Sequence, residues 1–195
     1  GPQVTQEKIE AEIDLVRDLG FKNYIIDEGW FGQEPEPWTY RGDYTPDPAR
    51  FPDFHGMIEK MHRAGLNVIL WVSPFQVGKA SSRYEQMKPY LSWWNQFGEA
   101  PYFMPTMWPW VMGEFKGEAL AERLELCPRT GITETYVPEL VERLMRDYEV
   151  DGLKIDFLDQ LMVMPCRADH PHRYDNLGEP VMKTVRAMVE AIREH

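Results

Sequence analysis

Basic charge is what this chain is shortest of: 21 Lys and Arg face 32 Asp and Glu, a formal net charge of -11. A surface this acidic repels phosphate backbones and anionic lipid headgroups, so neither nucleic acid nor a membrane is an expected partner. Cysteine is scarce too. Cys127 and Cys166 lie far apart and in no C-x-x-C pattern, so the sequence suggests neither a disulfide scaffold nor a zinc site, and no metal or other cofactor is expected. There is no apolar run of about 18 residues to span a bilayer, no signal-peptide pattern and no N-x-[ST] sequon. The expected compartment is the cytoplasm. The opening Gly1-Pro2 matches a protease-cleavage scar, so native residues are expected to have preceded it. G-x-S-x-G, P-loop and G-x-G-x-x-G patterns are all missing, which leaves serine-hydrolase, NTPase and dinucleotide readings without support.

What is present is enough for a core. At 195 residues and 43% hydrophobic, the chain reads as a single domain over 1–195. Aromatics reach 13%, with seven Trp, a supply that suits sugar-stacking clefts and cores alike.

Periodicity predicts the elements. Thr5 caps a helix carrying Ile9, Ile13, Val16 and Leu19, closed by Gly20. A strand over 21–27 follows and runs into Asp27-Glu28-Gly29-Trp30-Phe31-Gly32. Prolines keep 33–52 irregular. Asp53 caps a second helix with Phe54, Met57, Ile58 and Met61 inward, and a second strand over 66–72 ends at Ser73-Pro74. A helix over 81–91 is expected, then an aromatic-rich excursion at about 92–122 that fits no single period. A short strand over 123–127 leads to a helix starting at Thr133 or Thr135, with Pro138 placed in its first turn. Asp151-Gly152 turns the chain into a strand over 152–157, and Pro180 opens the last helix. Alternation of this kind implies parallel strands with helical crossovers, an α/β fold.

In such folds chemistry gathers at the carboxyl ends of the strands. Those ends carry Asp27, Glu28 and Trp30, then Trp71 and Ser73, then Lys154, Asp156 and Asp159. Lys154 and Asp156 are two apart on a strand and share a face, which makes the Asp156 carboxylate a candidate nucleophile beside a cation. A buried structural Lys–Asp pair is the alternative. His170-Pro171-His172 has a metal-like H-x-H spacing without an obvious third ligand, and His55 and His62 read as surface or packing residues.

Taken in order, Asp27-Glu28-Gly29-Trp30-Phe31-Gly32, Gly42-Asp43-Tyr44 before Arg50-Phe51-Pro52, Leu70-Trp71-Val72-Ser73-Pro74 and Lys154-Ile155-Asp156 resemble the α-galactosidases of glycoside hydrolase family 36, the melibiase type of clan D. The family's usual forms are D-D-G-W-F-G, G-D-W, L-W-V-E-P and K-x-D. The resemblance implies a TIM-type (β/α)8 barrel, about half of it present here, that cleaves terminal α-galactosides or related α-hexosides with retention. It makes Asp156 the catalytic nucleophile. Asp27, Glu28 and Lys154 would contact the sugar, Trp71 would be an aromatic wall, and Trp30 the motif tryptophan. Glu28 and Ser73 depart from the family's second aspartate and its glutamate. The family's acid/base aspartate belongs to a later strand; Asp159, Asp169 and Asp175 are the local acids. An open half-barrel is expected to self-associate, since its sheet edges and core face need cover. A non-catalytic carbohydrate-binding module and a metal-dependent hydrolase using His170 and His172 are the alternatives.

Overall fold

A computed structural model describes residues 4–33, 37–92, 124–158, 166 and 168–195. Helix α1 (Gln6–Asp18) leads into strand β1 (Asn23–Ile26); α2 (Phe54–Arg63) leads into β2 (Asn67–Val72). A two-residue strand β3 (Gln76–Val77) and a short helix α3 (Tyr84–Met87) follow, then β4 (Leu124–Glu125), α4 (Thr133–Tyr148), β5 (Gly152–Ile155) and α5 (Gly178–Arg193).

The two main helix starts are capped as the sequence predicts: Thr5 Oγ1 accepts from Lys8 N–H and Asp53 Oδ1 from Gly56 N–H at 3.0 Å. Three starting expectations are corrected. Leu19 is 65% exposed because α1 ends at Asp18 and Leu19 only caps it. Pro138 lies inside α4 rather than in its first turn, since the helix begins at Thr133. The expected helix over 81–91 shortens to α3 and a 3₁₀ turn at Lys88–Tyr90, where Pro89 supplies no N–H. The aromatic excursion lies, after Ser92, outside the described residues, as does Asp159.

The sheet has the order β1-β2-β5, all parallel. Ile26 stands opposite Leu70, and Leu70 opposite Leu153, so the three strands finish nearly level. β3 and β4 pair antiparallel in a separate ribbon, because the chain turns at Ser73-Pro74 and cannot continue the ladder. Packing supplies the rest. Val137, Leu140, Val141, Leu144 and Met145 recur at helical spacing along α4 and are all buried. α5 lies against α4, where Thr184 Oγ1 and Thr133 Oγ1 meet at 2.9 Å, both fully buried.

The upper core is aromatic. Trp30 is fully buried, stacked on Phe54 (5.5 Å) and Tyr44 (6.2 Å) and edge-on to Phe31 and Tyr148. It ties the loop after β1 to α2 and α4. Arg50 locks that loop from outside. Its guanidinium donates to Asp47 Oδ2 at 2.7 Å and to the carbonyls of Gly29, Phe31 and Gly32. Those carbonyls have no ladder partner, so a buried cation with several donors satisfies them at once.

Candidate active site

Asp27 lies one residue past Ile26, in register with Trp71, which in turn faces Lys154. A row of side chains therefore crosses the sheet on one face, with Asp156 two residues beyond Lys154 on the same side. Lys154 Nζ reaches over β2 and bonds Asp27 Oδ2 at 2.6 Å. Its direct partner is thus Asp27 rather than Asp156, because the lysine arm spans the central strand. The Asp156 and Glu28 charges still act on it.

Asp156 is anchored through both oxygens. Trp71 Nε1 donates to Oδ2 at 2.9 Å, and the N–H of Phe157 to Oδ1 at 2.8 Å. Asp156 N–H continues the ladder to Val72 O. Phe157 sits at φ 60°, in the left-handed region that a bulky residue enters at a cost of about 1–2 kcal/mol. Strain of this kind persists where surrounding structure over-determines it, and such places cluster at functional sites.

Trp71 and Trp30 lie in the core of the described residues. Trp71 is 1% exposed and Trp30 0%, so neither offers a ring face to a sugar here. Trp71 instead orients Asp156, and Trp30 supports Trp71 by donating Nε1–H to its carbonyl at 3.0 Å. Tyr44 completes the platform: its hydroxyl meets the backbone and side chain of Ser73 at about 3 Å. Ser73 is consequently part of the buried frame.

Arg41 is the participant that sequence reasoning missed. It is fully buried, pairs with Glu28 and lies 5.6 Å from the Trp71 ring and 5.9 Å from the Phe157 ring. It links an acid after β1 to the aromatic frame of Asp156. The signal was an arginine abutting Gly42-Asp43-Tyr44, which pattern alone does not distinguish from a surface charge. His62 and His55 are surface residues: the first meets Asp151 Oδ2 at 2.9 Å, the second lies beside Tyr148. Asp169 and Asp175 are exposed on the loop before α5.

Burial alone would raise Asp27, but the hydrogen bonds from Lys154 and from Glu28 N–H, with the lysine charge, outweigh it and hold the carboxyl below its ordinary range. The hydrogen bond to Asp27, with neighbouring negative charge, raises Lys154. The Asp27 contribution is therefore present above its unfolded value near 4 and fades as pH falls through the lower folded one. The Lys154 contribution is present below about 10.5 and fades as pH rises through the higher folded value. Both groups are half exposed, so the pair is worth less than about 1 kcal/mol. Lys154→Met is expected to move the Asp27 carboxyl titration, followed by NMR, upward toward ordinary aspartate with little loss of stability. An unmoved titration would mean that the pair does not hold in solution.

Comparison with known proteins bears on the same strand ends. The Melibiase family model matches residues 3–95, which include β1, α2, β2 and the loop between them. Over that stretch the chain is similar to the melibiase family. α-Galactosidase 1 of Pediococcus pentosaceus is 28% identical over 87 residues, 44% of this chain and 12% of that protein. A type blood α-D-galactosamine galactosaminidase of Flavonifractor plautii is 26% identical over 158 residues, 79% of this chain and 13% of that one. In structure, the α-galactosidase of Thermus thermophilus in complex with p-nitrophenyl α-D-galactopyranoside superposes with a TM-score of 0.65 at 19% identity, covering 98% of this chain and 34% of that one. The matched segment holds Asp27, Glu28, Arg41 and Trp71; Lys154 of β5 and Asp156 just after it lie beyond that segment. The chain spans 12–13% of the length of these two curated relatives.

Proposed function

We propose that this chain contributes the nucleophile and sugar-gripping edge of a retaining α-galactosidase, built as part of a (β/α)8 barrel. One observation carries the proposal: a carboxylate at a strand end, Asp156, is hydrogen-bonded through both oxygens beside an Asp27–Lys154 ion pair. The two donors hold the carboxylate in place and aim it, which suits attack on an anomeric carbon. Asp27, Glu28 and Lys154, all part-exposed, are the groups available to sugar hydroxyls. In this reading the proton for the leaving oxygen comes from a second carboxylic acid about 5 Å away in the assembled site, as retention requires. The sugar is a terminal α-galactoside or a related α-hexoside. Glu28, part-exposed and differing from the family's aspartate, is where a preference among such sugars would arise.

The test is covalent trapping. An aryl α-galactoside with a good leaving group needs little acid assistance, so the nucleophile should react even where the acid is remote. Rapid quench and peptide mapping are expected to find the galactosyl adduct on Asp156. An adduct on another residue, or sugar binding with no adduct, would overturn the assignment and favour a binding module.

The alternative assembly, a half-barrel that self-associates, has an observation of its own. Leu15, Leu19, Phe21 and Ile25 are 50–65% exposed around α1 and β1, and among the described strands β1 is paired only with β2. Apolar surface next to a sheet edge is what a second copy or further barrel strands would cover. Light scattering after size exclusion is expected to give a mass above that of one chain, with Ile25→Lys shifting it down. A monodisperse monomer would refute self-association.

A further inference from the structure

Cys127 and Cys166, read from sequence as unrelated, stand together with His170 and His172. One ligand atom from each lies within 4.8 Å of all the others. The missing third ligand of the H-x-H pair is thus a pair of thiols. Sequence spacing hid them because the corner after β4 and the loop after β5 converge only in the fold.

The cluster has the form of a coordination sphere. Around zinc, with bonds of about 2.3 Å to sulfur and 2.0–2.1 Å to nitrogen, tetrahedral neighbours lie about 3.3–3.8 Å apart. Cys166 Sγ and His170 Nε2 are 3.4 Å apart, and the two histidine Nε2 atoms 3.1 Å. His170 Nδ1 lies 3.1 Å from the carbonyl of Pro89, which can only accept. The ring proton is therefore placed on Nδ1, leaving the Nε2 lone pair turned into the cluster. This is the outer-sphere arrangement of a metal-bound imidazole. Cys127 is fully buried and Cys166 5% exposed, while both histidines are half-buried, so the pocket is closed on the thiol side.

We propose that Cys127, Cys166, His170 and His172 form a structural zinc site. Two thiolates balance the charge of the ion, and binding releases their two protons. Four protein ligands complete a tetrahedron and leave no position for water or substrate, so the ion is a staple and not a catalyst. It joins three segments: the turn at Lys88–Tyr90 through Pro89, the corner at Cys127, and the described stretch before α5 that holds Cys166, His170 and His172. Hydrogen bonds already align the last two, from Arg129 Nε to Tyr174 O at 2.8 Å and from Arg173 N to Arg129 O at 2.8 Å.

The experiment is elemental analysis of the chain purified under reducing conditions from zinc-supplemented medium. About one zinc per chain is expected, and about none in the Cys127→Ser, Cys166→Ser double variant. Cobalt(II) put in place of zinc should show the strong visible absorption and sulfur-to-metal charge transfer of a tetrahedral thiolate site. His172→Ala, at a half-exposed ligand, is expected to keep the helical circular dichroism and weaken zinc binding at least tenfold in a chelator competition. The proposal is overturned by folded protein without zinc affinity, by zinc retained in the double variant, or by a Cys127–Cys166 disulfide in non-reducing peptide maps of fresh protein.

Discussion

Asp156→Asn is expected to abolish covalent trapping by an aryl α-galactoside and to lower its turnover by about 10⁴-fold or more, the scale on which losing the attacking group of a covalent mechanism acts. The change is nearly isosteric. It removes the group proposed to attack, and it also disturbs the frame, since Asp156 accepts from Trp71 Nε1 and from Phe157 N–H. A carboxamide has one oxygen for those two donors, so one of them meets an N–H₂ group instead. That mismatch costs about 1–3 kcal/mol, well short of unfolding a domain with a typical 5–15 kcal/mol in hand. Circular dichroism should therefore be preserved and sugar affinity, measured by calorimetry, should change little while the chemistry disappears. Retained trapping at the wild-type rate would place the nucleophile elsewhere.

Trp30→Ala is expected to have the largest effect on stability. Truncating a fully buried tryptophan typically costs about 3–5 kcal/mol in transfer and cavity terms. The Trp71 carbonyl, which accepts from Trp30 Nε1 at 3.0 Å, would lose that partner in a buried setting and add to the penalty. The loss also removes ring contacts to Phe31, Tyr44, Phe54 and Tyr148 together, so α2 and α4 lose their common anchor at the strand ends. Urea denaturation should show a midpoint lowered by a large fraction of the wild-type value, with near-ultraviolet circular dichroism weakened. Trp30→Phe keeps the ring and should cost roughly half as much. An alanine variant as stable as wild type would mean that the aromatic frame is not what holds the site.

The contrast between these two residues explains how legible the site was. Asp156 and Asp27 could be picked out because a carboxylate at the end of an apolar strand conflicts with its surroundings, and that conflict is visible in a string of letters. Trp30 and Trp71 stood out as motif letters, but whether an aromatic ring faces ligand or core depends on what packs over it. Arg41 shows the opposite failure. Its burial beneath Glu28, Trp71 and Phe157 has no local signature. Nor did the proline of α4 sit where turn chemistry placed it, because packing of Val137 to Tyr148 on the sheet outweighs the lost hydrogen bond.

By itself the amino-acid order determined the alternation of helix and strand, the capped starts at Thr5 and Asp53, and the parallel sheet. Each of these follows from periodicity and capping within a few neighbouring residues. Only the tertiary structure decided who meets whom: Lys154 with Asp27, 127 positions away, Trp71 with Asp156, and two cysteines with two histidines. Hydrogen bonds and coordination bonds form over about 2–3 Å, and at that scale separation along the chain carries no information about separation in space.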